Sequence, residues 1–110
     1  MKDETHKTVF CETSDSGLFG TWTRHGGDSA VIQSGVEGPA AYWDNGVEGK
    51  VHLLLDFYGG NPAGYRHFES STPGENSGWK EVGGFPRGLR HGSVAPISTE
   101  QSRVLSARFP

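Results

Sequence analysis

A single cysteine, Cys11, leaves the chain without an internal disulfide, so its small core must hold without a covalent staple. Phe10 and Glu12 beside it offer no cation to lower a thiol pKa, and an inert, buried Cys11 is expected. Long apolar runs are missing too. The longest, 51–55, is broken by His52 and falls far short of the roughly 18 residues of a membrane span. No window repeats apolar residues at i, i+3, i+4 and i+7 for two turns, which excludes a helix bundle. No HxH, HExxH, cysteine pair, GxSxG or phosphate-loop motif occurs. His6, His25, His52, His67 and His91 are scattered, and neither a metal nor another cofactor is expected. A basic excess is also absent. The net charge is −3, which argues against a duplex-DNA binder.

Glycine is abundant, at 17 of 110 residues, but keeps no three-residue period, so collagen is excluded. Three Trp, three Tyr and six Phe with nearly balanced charge are too many aromatics and too little charge for a disordered chain. The length suits one domain over 1–110, with 1–6 expected as a disordered tail. That polar N-terminus has no signal-peptide core, and either a cytoplasmic location or a secreted, disulfide-free one fits. Charge divides unevenly: residues 1–55 carry eight acids and four bases, while 56–110 carry five acids and six bases.

Short β-favouring runs lie at 8–11, 18–23, 30–33, 40–43, 50–57, 64–69, 79–82, 94–97 and 103–109, separated by Gly, Pro, Asn, Asp and Ser. The expected fold is all-β, a small antiparallel sandwich or barrel of about eight short strands with at most one short helix. Residues 50–57 read as the central strand, being too continuously apolar for an edge. Asn45-Gly46 is a hairpin signal. The one place for a helix follows Ser98, which with Gln101 three residues on could close a capping box. Gly-Val-Glu-Gly occurs at 35–38 and again at 46–49. A 42-residue offset aligns Val9, Gly17, Arg24 and His25 with Val51, Gly59, Arg66 and His67. Two such β-units would be too small to close alone and would point to a homo-oligomer.

Two constellations could carry function. The first is aromatic: Trp43 with Asp44 and Asn45, Tyr65 with Arg66, and Trp79. Sugar rings stack their C–H faces on Trp or Tyr while Asp, Asn and Arg read the hydroxyls, so a lectin-like module binding a glycan or another small polar ligand is the first expectation. The same rings could instead fill a core poor in aliphatics. Trp22, also flanked by threonines, is the likeliest of the three tryptophans to do so. The second constellation is His67, Glu69, Arg87 and His91. His67 and Glu69 are two apart, so in a strand they share a face. A base, an acid and an arginine on phosphate outline a ribonuclease-like or β-barrel isomerase or hydrolase site. A protein-binding or inhibitor domain is the third alternative. His52, inside an apolar strand, is expected to be a partly buried, satisfied histidine.

Overall fold

The computed structural model describes residues 2–28 and 31–110. Among the described residues, nine strands and one α-helix follow in chain order: β1 (Lys2–Asp3), β2 (Thr8–Val9), β3 (Glu12–Thr13), β4 (Thr23–Arg24), β5 (Gln33–Ser34), β6 (Glu37–Trp43), β7 (Val51–Asp56), β8 (Tyr65–Ser70), β9 (Lys80–Val82) and α1 (Thr99–Arg108), with a single 3-10 turn at Asn76–Gly78. Every pairing is antiparallel. The main sheet is the meander β6-β7-β8-β9, with two smaller sheets, β1-β2-β5 and β3-β4, built from two-residue strands. The molecule is therefore β-rich, as expected, with one short helix. Residues 2–3, expected within a tail, pair instead with β2, Lys2 opposite Val9.

β7 is central, hydrogen-bonded to β6 on one side and β8 on the other. Its alternation explains its composition. Val51, Leu53 and Leu55 point toward Val9, Val36 and Phe68 in the core, while His52, Leu54 and Asp56 point to the opposite face. Leu54 and Asp56 are nevertheless buried, so this strand reads as almost continuously apolar without lying on an edge.

Over β8, the opposite face is covered by the segment that follows β9. Tyr65 N–H donates to Leu89 O (2.8 Å), its hydroxyl donates to Gly38 O (2.9 Å), and it accepts from Gly92 N–H (3.0 Å). Gly64 makes this approach feasible. Its φ is +135°, and an added Cβ would stand 3.1 Å from Leu89 O and 3.2 Å from Gly88 N. Arg90 ties the same segment down by donating from Nε to Asp56 Oδ2 (2.9 Å).

Several expected elements differ. Residues 103–109 were expected as a strand, but 103–108 belong to α1 and Phe109 is its C-cap, because the capping box forms: Ser98 Oγ accepts from Gln101 N–H and Gln101 Oε1 accepts from Ser98 N–H. Residues 94–97 form no strand. In the run 18–23 only Thr23 enters a strand, because Gly17 (φ +84°) starts a turn closed by Gly20 N–H to Gly17 O (3.1 Å). That turn leaves Leu18 and Phe19 exposed. In the run 30–33, Ala30 lies outside the described residues, and the strand there is Gln33–Ser34. The Asn45-Gly46 turn does not close a two-residue hairpin. It is a longer connection in which Asp44 Oδ1 accepts from Gly46 N–H (2.7 Å) and Val47 N–H (2.8 Å). No described helix is long and apolar enough to cross a membrane.

Candidate acid–base site

The β6-β7-β8 register places Tyr42, His52 and Glu69 in one cross-strand row. His67 stands one diagonal step from His52, a separation at which long side chains still meet. Tyr42 stacks on the His52 ring, with centroids 4.9 Å apart and planes 18° apart. His52 is held at both nitrogens. Nε2 lies 2.7 Å from Asp44 Oδ2, and Nδ1 lies 2.7 Å from His67 Nε2. Asp44 sits just past the end of β6, where its other oxygen closes the turn. The two histidines are partly buried.

The carboxylate at the head of this chain sets its polarity. The hydrogen bond from His52, then that from Gly46 N–H, lowers the Asp44 pKa from 3.8 to about 2, so Asp44 is ionised at neutral pH. An ionised carboxylate only accepts, so His52 donates from Nε2. In the neutral chain His52 Nδ1 then accepts from His67 Nε2–H, and His67 Nδ1 keeps a free lone pair. Burial, followed by the charge of His52, lowers the His67 pKa below 6.5, which keeps that ring in its basic, neutral form. Glu69 is paired with Lys50, and their hydrogen bond lowers the Glu69 pKa and raises that of Lys50.

His67 lines a groove of about 480 Å³ that also contains Arg66, Glu81, Phe85 and Arg87. Phe85 makes an edge contact with Tyr65 (6.3 Å) and leans toward His67 (6.1 Å). Of the expected acid–base set, His67 and Glu69 therefore share a face, as their spacing indicates, and Arg87 joins His67 in the groove. His91 belongs elsewhere. Its Nε2 lies 3.3 Å from Asp56 Oδ2 and 3.8 Å from Glu37 Oε1. Glu37, Asp56 and His91 have donor atoms close enough for a metal ion. The Arg90 guanidinium already occupies that cluster, touching Asp56 at 2.9 Å and Glu37 at 3.5 Å.

The aromatic set divides between two places. Trp43, 67% exposed, and Trp79 line an apolar cleft of about 420 Å³ with Val9, Phe10, Ile32 and Leu53. Trp79 also packs on the core and donates from Nε1 to Pro73 O (3.2 Å). Tyr65 does not join them, being buried at the other groove with its hydroxyl engaged. Arg66 lays its guanidinium 4.1 Å over the Phe57 ring. Asn45 is exposed on the turn and lines neither the cleft nor the groove. Trp22 is 44% exposed and donates to Leu18 O (3.1 Å), so it is not a core residue. Cys11 is half-buried, and burial raises its pKa, in line with an inert thiol.

The sequence reading missed the link between Asp44 and His52. Its one visible trace was a histidine interrupting an apolar strand. The chain matches no protein-family model, no curated protein and no solved structure.

Proposed function

We propose that the protein is a small acid–base catalyst in which His67 takes a proton from a group bound in the adjoining groove. The observation that carries this reading is the Asp44–His52–His67 chain, with both of its links at 2.7 Å. A base oriented by a second group, itself oriented by a third, is the arrangement by which proteins fix a tautomer and stabilise the imidazolium that forms. A proton taken at His67 Nδ1 leaves Nε2–H free to move to His52 Nδ1, placing the positive charge beside Asp44. This reading takes the lead from the sugar-binding one because its three groups are joined by hydrogen bonds, whereas the aromatic set is divided between two places.

The test is a hydrolysis panel of activated carboxylic and phosphoric esters, comparing wild type with His67→Gln. Glutamine can still donate to His52 but offers no base. The variant should melt as wild type does and lose about 10²–10⁴-fold in rate. Equal rates across the panel would remove the proposal.

Glycan binding remains a second reading, supported by the exposure of Trp43, which lines the apolar cleft together with Trp79. Binding on a glycan array that Trp43→Ala abolishes would favour it. A homo-oligomer, suggested by the 42-residue offset, stands as a proposal that light scattering decides.

A further inference from the structure

We infer that the groove beside His67 takes a single-stranded RNA phosphodiester, with its phosphate on Arg87 and its 2′-hydroxyl at His67. The inference rests on the acid–base reading and names its substrate. The first argument is what lines the groove. Its walls are Asn61 to His67 on one side and Glu81 to Phe85 with Arg87 and Gly88 on the other, and among these described residues none is Ser, Thr, Cys or Lys. The single hydroxyl, that of Tyr65, already donates to Gly38 and accepts from Gly92. A site with a base but no available hydroxyl, thiol or amine nucleophile suits a substrate that carries its own hydroxyl. RNA does so, on the carbon next to the one whose oxygen bears the phosphorus.

The second argument is charge. Two arginines line the groove. Arg66 has Glu81 at 3.9 Å, whereas Arg87 makes no ion pair among the described residues. A guanidinium without a carboxylate is matched to a phosphate, which it can hold through paired N–H donors. The N–H groups of Gly84 and Gly88 also have no acceptor among the described residues and flank Arg87 in sequence. Scale is the third argument. A groove of about 480 Å³ admits a nucleotide rather than a duplex, and unpaired strands can be bound without sequence preference through their backbone and bases. The overall charge of −3 does not oppose this, since the contact is local.

The step balances within the substrate. His67 Nδ1 removes the 2′-hydroxyl proton, the 2′ oxygen forms a bond to phosphorus, and the bond from phosphorus to the 5′ oxygen breaks. The leaving oxygen takes a proton from solvent, giving a 2′,3′-cyclic phosphate and a 5′-hydroxyl. Arg87 neutralises charge on the phosphoryl oxygens throughout.

The experiment uses a fluorophore-labelled oligoribonucleotide, its deoxy counterpart, and the activated esters of the panel. Wild type, His67→Gln, Arg87→Ala and Arg87→Lys are purified in parallel, so that a contaminating nuclease would appear in all four. Expected are cleavage of the oligoribonucleotide but not of its deoxy counterpart, a cyclic-phosphate product, loss of rate on RNA and on the esters in His67→Gln, and a KM for RNA raised about tenfold or more in Arg87→Ala with partial recovery in Arg87→Lys. His67-dependent ester hydrolysis without RNA cleavage overturns this inference and leaves the acid–base reading standing. RNA cleavage that His67→Gln retains, or no activity on any substrate, overturns both.

Discussion

At the scale of single residues, Asp44 carries two duties with two oxygens. Oδ1 accepts from the N–H groups of Gly46 and Val47, and Oδ2 accepts from His52. Asp44→Asn separates them. An asparagine carbonyl can still close the turn, so the fold should persist, whereas the amide can no longer anchor a charged His52. A fall of about 10²–10⁴-fold in rate, with an unchanged circular dichroism spectrum and melting point, is the expected result. The pH profile follows from His67. Its conjugate acid is held below 6.5, so the rate should be flat at neutral pH and fall with acidification below that value. A profile still rising above pH 7 would place the proton acceptor elsewhere. His67 and Glu69 were legible in the sequence as neighbours on one strand face. Asp44 was not legible as the partner of His52. Their link depends on the Trp43–Val51 pairing across a seven-residue connection, and turn length cannot be read from Asn-Gly alone.

Among the elements, β7 was the clearest in the sequence, because its apolar run and flanking glycines agree on both type and place. Leu54 on its opposite face is buried, and Leu54→Ala should cost about 2–5 kcal/mol by chemical denaturation. A loss well under 1 kcal/mol would mean that the cover over this face contributes little. The short strands were harder. β2, β3, β4 and β5 have two residues each, too few for alternation to outweigh turn chemistry. Residues 103–109 misled for a related reason. Val104, Leu105 and Phe109 suit a strand by composition, but the capping hydrogen bonds at Ser98 act before them and start a helix. The 42-residue offset has a partial structural counterpart. Glu12 pairs with Arg24 and Leu55 pairs with Arg66, so both stretches form antiparallel pairs, but their registers differ by one residue. A one-residue slip reverses the faces, so the two units do not present equivalent sites.

On the scale of the whole molecule, the main sheet separates two environments. One face packs the core and opens into the apolar cleft. The other carries the ionisable groups. Stability should respond to acid through the second face. His67 is depressed in the folded state, so the unfolded chain binds its proton first, and stability declines as pH falls below about 6.5. Asp44 is also depressed, and its contribution, present above 3.8, is lost as pH falls toward about 2. Two successive losses, with the His67→Gln variant lacking the first, are the expected form of a melting-temperature curve against pH. A curve flat from pH 7 to 4 in wild type would show that His67 is not held neutral. The sequence made the β-rich class visible because that class is set by composition and local period. The distribution of residues between the two faces was not visible, since it depends on which short strands pair.

The connection from Asp44 to Lys50 carries a constraint of a different kind. Loops between strands usually tolerate changes in length, because lengthening a closed loop costs little entropy. Here the residue that shapes the bend also holds the His52 imidazole, and Asp44 N–H donates to Lys50 O (2.9 Å) at the mouth of the same bend. An insertion or deletion in this stretch would leave the sheet paired and yet rotate the carboxylate off the imidazole. Among relatives of this chain, the length of 44–50 should therefore vary together with the presence of a histidine at position 52, a signature of coupling between punctuation and chemistry.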